Sequence, residues 1–181
     1  MPPVSFTALA NISGGVRSSA AVVRWLDTHQ GDIVLHLIAT GDTDLDNLRA
    51  GAAFRLLSVL RKKHPDRFEL VQSGWRPNTL PENTATPAEV MAFSTAMLLR
   101  CARYSGVKTL VTASPAPWLK DAAKLAGVKI TEDVIARPMR EMLADLIMPL
   151  SDYLVCDHGR GNRCGVCPAC LEITDALKPL E

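Results

Sequence analysis

Four cysteines lie within fifteen residues near the C-terminal end of this sequence, and their spacing is typical of a metal site. They are Cys156, Cys164, Cys167 and Cys170, in the pattern C-x7-C-x2-C-x2-C. Two thiolates separated by two residues can bind one ion from a single turn, and Gly165 gives the backbone the freedom for that turn. Four soft sulfur ligands complete a tetrahedral shell, so this cysteine knuckle is predicted to bind structural Zn²⁺.

Other interpretations of the cysteine knuckle stay open at the level of sequence. An iron–sulfur cluster is the chief rival, because four cysteines also ligate such clusters. His158 could replace one cysteine, but a single histidine is more often solvated, so it is left out of the ligand set. Arg160 and Arg163 would offset the charge of four thiolates. The fifth cysteine, Cys101, lies in an apolar helical pattern and is predicted to be a small buried residue.

A glycine-rich turn between the first predicted strand and the first predicted helix is the second segment suited to chemistry. Paired glycines let backbone N–H groups face inward, and the following helix adds its positive N-terminal end. An arginine in the turn can donate two hydrogen bonds to a phosphate. Such a turn can be only a tight connection, but open α/β sheets bind ligands at this place, which favours phosphate binding. The segment comprises Ser13, Gly14, Gly15, Val16, Arg17 and Ser18.

Two further segments are candidates for the rest of a nucleotide site. Three carboxylates follow the second predicted strand, at Asp42, Asp44 and Asp46. They could hold Mg²⁺ or a ribose, although capping of the next helix explains them as well. A long loop over 74–87 carries side chains that could stack on a purine-like base, or simply anchor a surface loop. These side chains are Trp75, Arg76, Asn78 and Asn83.

The elements that must position these residues alternate between strands and helices, which predicts an α/β fold with a parallel twisted sheet covered by helices on both faces. The predicted strands are Val4–Ala10, Ile33–Ala39, Phe68–Val71, Lys108–Thr112 and Val128–Ile130. The predicted helices are Ser18–His29, Asp44–His64, the strongly amphipathic Glu89–Tyr104, Leu119–Ala126 and Met139–Ile147. We expect an α/β domain over 1–150, with the knuckle and a C-terminal helix over 151–181 packed on it.

Composition sets the outer limits of these predictions. A chain of 181 residues with 48% hydrophobic residues has the size and the apolar content of one globular domain, which excludes a mainly disordered chain. A net charge of +1 does not favour direct nucleic-acid binding. No apolar run reaches membrane-spanning length, and no secretory signal is evident. We expect a soluble, cytoplasmic protein, in which clustered cysteines indicate a metal site rather than disulfides.

The two motifs together resemble a known family. The turn is similar to the Ser-Gly-Gly-x-Asp-Ser loop of the N-type ATP pyrophosphatases (the PP-loop superfamily), with Arg17 in place of the family's aspartate. The knuckle Cys-Gly-x-Cys-x-x-Cys, with a cysteine ahead of it, resembles the 7-cyano-7-deazaguanine synthase (QueC) family of that superfamily. Leu80-Pro81-Glu82-Asn83 looks like a shorter form of that family's Val-Pro-Ala-Arg-Asn loop, and Ile135-Ala-Arg-Pro138-Met139 fits its proline-led helix.

The resemblance implies an adenine nucleotide alpha hydrolase-like, Rossmann-like fold and a carbon–nitrogen ligase of queuosine biosynthesis or DNA modification. Such an enzyme uses ATP, with Mg²⁺, to convert 7-carboxy-7-deazaguanine and ammonia to the nitrile through an adenylated acid. It implies catalytic roles for Ser13, Arg17 and Ser18, nucleotide binding by 13–18 and Asp42, and a homodimer. The alternatives are a protein that keeps the fold and serves as a zinc-containing binding module for a nucleotide, nucleic acid or protein, and a ligase with a protein acceptor.

Overall fold

Five parallel strands form the centre of the protein. The structure, a computed structural model, describes residues 6–39, 43–74, 87–112, 116–130, 137–156 and 163–179. Within them the strands are β1 (Phe6–Asn11), β2 (Asp32–Ala39), β3 (Phe68–Gly74), β4 (Thr109–Val111) and β5 (Lys129–Ile130). All paired strands run parallel, in the order β3-β2-β1-β4-β5. The α/β fold with a parallel sheet is therefore confirmed.

Helices pack on both faces of this sheet. They are α1 (Val16–Thr28), α2 (Thr43–Lys63), α3 (Pro87–Leu99), α4 (Pro117–Ala126), α5 (Met139–Ala144) and α6 (Pro168–Ala176). One core cluster joins side chains of α1, α2, α5 and α6 to one face of β1 and β2. A second cluster joins α3 and α4 to the opposite face. β1 and β2 are buried on both faces, which explains why their sequences are nearly continuous apolar runs.

The sequence misplaces one helix and, with it, one cysteine. The long helix predicted over Glu89–Tyr104 ends at Leu99, and a separate 3-10 turn follows at Ala102–Tyr104. Cys101 lies in the break between them and is exposed, so the prediction that it is buried was wrong. The helix is also less amphipathic than predicted, because Phe93 and Met97 are 64% and 54% exposed. The prediction was too long because apolar residues continue in the sequence after Leu99, where α3 ends.

The C-terminal segment packs into the same core as the sheet. Tyr153 is buried in the cluster that contains α1 and α5, and Ile173 of α6 lies in it as well. The Tyr153 hydroxyl accepts hydrogen bonds from the amides of Ile147 and Met148, each at 3.2 Å. These two bonds fix the chain between α5 and the first knuckle cysteine. Of the helices described, none combines the length and the apolar character needed to cross a bilayer.

We predict that Tyr153→Phe destabilises the protein by about 1–3 kcal/mol, because it leaves the two part-buried amides of Ile147 and Met148 without their acceptor. Tyr104→Phe is the matched control: its hydroxyl donates to Glu69 Oε1 at 2.6 Å, and Glu69 keeps its ion pair with Arg103. Tyr104→Phe should cost less than about 1 kcal/mol. Urea unfolding followed by circular dichroism measures both, and equal losses would contradict the role given to Tyr153.

Candidate functional site

The glycine-rich turn follows β1, the strand at which the order of the sheet changes sides. From β1 the sheet extends to β2 and β3 on one side, and the chain then returns to add β4 and β5 on the other. In open α/β sheets a crevice forms at the carboxyl ends of the two strands that flank such a point. The turn 12–15 follows β1 at this edge and leads directly into α1.

Gly14 sets the path of the turn. It has a φ of +69°, a conformation that favours glycine. A Cβ atom at this position would lie 2.6 Å from the Ala52 Cβ and 2.8 Å from both the Arg49 carbonyl oxygen and the Ala53 nitrogen. The turn therefore lies directly against the backbone of α2, and only glycine fits there.

Two serine hydroxyls meet across the turn. Ser13 Oγ and Ser18 Oγ lie 3.1 Å apart, and the Ser13 amide donates to Ser18 Oγ at 3.3 Å. The Gly15 amide donates to Ser13 Oγ at 3.4 Å, and none of the described side chains caps the start of α1. Hydroxyls, amides and a helix N-terminus thus converge at one place, which is the donor arrangement that oxyanions require.

Arg17, on the first turn of α1, pairs with Glu172 of α6, 155 residues away. Both side chains stay partly exposed, at 42% and 39%. The pair joins the glycine-rich turn to the helix that begins immediately after Cys167. Nothing in the sequence pointed to Glu172, because an ion pair between residues so far apart leaves no local pattern.

The turn is also bonded to the chain that leads into the knuckle. The Leu154 amide donates to the Gly14 carbonyl at 2.9 Å, and Gly15 forms a parallel bridge with Leu154. Cys156 follows two residues later. The predicted phosphate loop and the predicted metal site therefore adjoin each other.

The four predicted cysteine ligands come together. The sulfur atoms of Cys156, Cys164, Cys167 and Cys170 all lie within 4.8 Å of one another, and the Cys164 and Cys170 sulfurs are 3.9 Å apart. Sulfurs around a tetrahedral zinc ion stand about 3.8 Å apart, given a Zn–S distance of about 2.3 Å. Gly165 has a φ of +76°, as expected for the tight turn between the second and third cysteines. This cluster could hold a metal ion such as zinc.

Local hydrogen bonds favour the thiolate form of one of these cysteines. The backbone amides of Val166 and Cys167 donate to the Cys164 sulfur and lower the pKa of this thiol to about 6. The Cys167 amide lies 3.3 Å from it. Since metals bind the thiolate, a lowered pKa reduces the proton loss that binding requires at neutral pH. The other three cysteines are buried and form a small cluster of their own with Val155 and Ala169.

Two cavities open on either side of the turn. The first, called the sheet cavity, has a volume of about 240 Å³ and lies over the carboxyl ends of the strands, between β2, α3 and α4. The second, called the knuckle cavity, has a volume of about 390 Å³ and is walled by Leu154, Cys156 and Ile173. Both cavities are lined by the same four polar residues: Ser13, Arg17, Ser18 and Arg49.

The structure brings most of the predicted site residues together. Ser13, Arg17 and Ser18 line both cavities. Gly15 and Val16 line the knuckle cavity, and Gly14 is the buried residue within the turn itself. The other predicted residues lie outside the part of the chain that the structure describes. They are Asp42, His158, Arg160, the loop residues Trp75, Arg76, Asn78 and Leu80–Asn83, and Ile135 and Ala136.

Sequence reasoning missed polar residues of the sheet cavity, among them Arg49, Asn11 and His36. Arg49 of α2 has no motif around it, Asn11 ends β1, and His36 lies inside β2, a strand that is otherwise largely apolar. His36 is only 1% exposed, and its Nε2 atom lies 2.6 Å from Ser73 Oγ. Burial lowers the pKa of His36 to about 4, so this imidazole is neutral at neutral pH. A histidine inside a buried strand was the signal that could have revealed it.

Comparison with known proteins adds no assignment: no protein-family model, curated protein or solved structure matches this chain.

Replacement of Gly14 by alanine should be far more harmful than the same change at Gly127. Both glycines have a φ of +69°, but a Cβ at Gly127 would meet no atom of the described residues within 4 Å. Gly127→Ala therefore measures the backbone cost alone, about 1–2 kcal/mol. Gly14→Ala adds overpacking against α2, for a total of about 2–5 kcal/mol. Chemical denaturation compares the two variants, and equal costs would show that the turn does not lie against α2 as described.

Metal content tests the cysteine cluster. Reduced protein should contain one zinc ion per chain, and Cys167→Ser should lose most of it because one of four thiolates is removed. Cys101→Ser, a change at the exposed cysteine, should keep its zinc. Elemental analysis of the original protein, Cys167→Ser and Cys101→Ser measures the zinc content of each. Stoichiometric iron would indicate the cluster alternative, and equal metal loss in both variants would contradict the assignment.

Proposed function

We propose that this protein is an ATP-dependent ligase that adenylates a carboxylic acid and transfers nitrogen to the activated carbon. The acid is 7-carboxy-7-deazaguanine and the nitrogen donor is ammonia, as the resemblance to the 7-cyano-7-deazaguanine synthases implies. The observation that carries the proposal is the shared wall of the two cavities, where Ser13, Ser18, Arg17 and Arg49 meet.

A two-substrate adenylation needs this kind of arrangement. The nucleotide occupies the sheet cavity, its phosphates lie on the glycine-rich turn, and the acid enters the knuckle cavity from the other side. A carboxylate oxygen then attacks the α-phosphorus atom, and pyrophosphate leaves. Ammonia attacks the acyl carbon, AMP leaves, and an amide remains. A second adenylation, at the amide oxygen, makes that oxygen a leaving group and yields the nitrile.

The polar residues of the shared wall have separate roles in this proposal. Loop amides and the hydroxyls of Ser13 and Ser18 donate hydrogen bonds to phosphate oxygens. Arg17 and Arg49 balance the charge of the phosphates and of the departing pyrophosphate. A half-exposed ion pair contributes only about 0–1 kcal/mol, so Arg17 can exchange Glu172 for a phosphate at little cost. Mg²⁺ would accompany ATP, and Asp42 is its predicted ligand.

Glu172 also bears on the one residue at which the turn departs from the family. Where the family has an aspartate, this chain has Arg17, and the Arg17 guanidinium pairs with a carboxylate supplied by Glu172 of α6. The cysteine cluster, two residues before Glu172, serves as a structural zinc site that holds α6 and one wall of the knuckle cavity. In this way the zinc site supports the substrate pocket without taking part in the reaction.

The surface of the knuckle favours a second candidate function, a zinc-containing binding module without catalysis. Val166 and Leu171 are 69% and 53% exposed, and Arg163 of the same segment is exposed as well. Exposed apolar side chains next to a cation can contact a protein or nucleic acid. In this case the turn binds a nucleotide or nothing, and the knuckle carries the activity.

Pyrophosphate release distinguishes the two functions. With 7-carboxy-7-deazaguanine and ammonium, the protein should release pyrophosphate from ATP. Ser18→Ala should lower the rate by about 10²–10³, since a donor to the reacting phosphate is lost, and Ser13→Ala should lower it as well.

Ser58→Ala, an exposed change on α2, is the matched control and should leave the rate unchanged. Absence of substrate-dependent turnover in zinc-loaded protein, together with binding of RNA, DNA or a protein, would support the binding module and overturn the ligase. If pyrophosphate release is unchanged in both Ser13→Ala and Ser18→Ala, the glycine-rich turn does not take part in catalysis.

A further inference from the structure

Two neighbouring strands place polar side chains on the floor of the sheet cavity. Asn11 at the end of β1 pairs in register with His36 of β2, and both residues line this cavity. Apart from Thr7 and Asp32, the other residues of the two strands are apolar, and most of them belong to the core. Polar groups at such positions cost folding free energy unless something binds them.

Each of these side chains is only half satisfied by the protein. Thr95 Oγ1 donates to Asn11 Oδ1 at 3.2 Å, while Asn11 Nδ2 has no hydrogen-bond partner among the described residues. His36 Nε2 is bound to Ser73 Oγ, while His36 Nδ1 is likewise without a partner there. Buried polar atoms of native proteins are nearly always hydrogen-bonded. These two atoms, called the open atoms because they have no partner among the described residues, belong to residues that line one cavity and so point to a ligand there.

The partners already present define what the open atoms offer. The Thr95 hydroxyl fixes the oxygen of the Asn11 amide and leaves its NH₂ group as a donor. The His36 Nε2 atom shares one hydrogen bond with the Ser73 hydroxyl, and the tautomer of the imidazole decides which of the two donates. With the proton of the neutral imidazole on Nε2, facing Ser73, the Nδ1 atom is an acceptor. In that tautomer the floor of the cavity presents one donor beside one acceptor.

We propose that His36 and Asn11 read the base of the nucleotide by an edge that carries an amino group next to a ring nitrogen. His36 Nδ1 accepts a hydrogen bond from the exocyclic amino group, and Asn11 Nδ2 donates to the adjacent ring nitrogen. Adenine has this edge. This assignment rests on the proposed function, because it places a nucleotide in the sheet cavity.

The walls of the cavity fit a flat heterocycle. Trp118 and Met91 line it together with the aliphatic side chains of Ile12, Ile38 and Leu119. Its volume of about 240 Å³ is below the range of about 300–1,000 Å³ for pockets of drug-sized ligands. A bicyclic base suits such a space, with the ribose and phosphates extending to the turn.

Binding of nucleosides that differ by one group tests the pair. Calorimetry on the zinc-loaded chain should show adenosine binding at least fivefold more tightly than purine riboside, which lacks only the amino group. One of 1-deazaadenosine and 7-deazaadenosine should bind more weakly than adenosine, and it identifies the edge that Asn11 contacts. His36→Phe, similar in shape, should abolish the preference for adenosine over purine riboside.

Inorganic triphosphate serves as the control probe, because it tests the turn alone and should bind His36→Phe as it binds the original protein. Triphosphate binding with equal affinity for adenosine and purine riboside would overturn the base-reading pair and leave the proposed function standing. Base discrimination without triphosphate binding would overturn the proposed phosphate site and support the pair. Failure of every probe to bind would overturn both.

A second measurement needs no substitution. The ¹⁵N resonance of His36 Nδ1 should move when adenosine binds to the original protein, and should move less with purine riboside. A resonance that stays fixed at adenosine saturation would contradict the contact, whether or not His36→Phe folds.

Discussion

The hydrogen bond from the Leu154 amide to the Gly14 carbonyl holds the two chemical segments of this protein at a fixed distance. Gly14 is confined from the other side by Ala52 of α2, so the turn cannot move without displacing either the helix or the chain that leads to Cys156. One constraint on one glycine thus sets the position of the turn, the first cysteine and the cavity between them. The ion pair between Arg17 and Glu172 adds a second connection between the same two parts.

Charge is arranged around this junction in a way that suits anionic ligands. Arg17 and Arg49 both border the two cavities, and among the described residues they form ion pairs with Glu172 and Asp46, respectively. These internal partners keep the arginines in place, and because the pairs are partly exposed they are weak enough to be exchanged. The chain thus holds two cations at one wall, where a polyphosphate and a carboxylate would each gain from them.

Local patterns in the sequence were sufficient for much of the fold. The apolar runs of β1 and β2 and the spacing of the cysteines can be recognised from residues that are close together in the sequence. The structure forms both strands and the cysteine cluster as predicted. Contacts between distant segments were not predictable in the same way. Glu172 meets Arg17 only because α6 packs beside α1, and His36 faces a cavity only because of the strand order. Cys101 was misassigned because the apolar pattern of α3 continues past the residue where the helix stops.

A structure of the zinc-loaded protein with a non-hydrolysable ATP analogue tests the account most directly. It should show the phosphates on the turn formed by 13–18, with the adenine in the sheet cavity and the bond between Leu154 and Gly14 intact. Arg17 should then contact a phosphate oxygen in place of Glu172. A nucleotide bound away from the turn, or an Arg17 that stays on Glu172 and blocks the phosphates, would contradict the assignment of this junction as a nucleotide site.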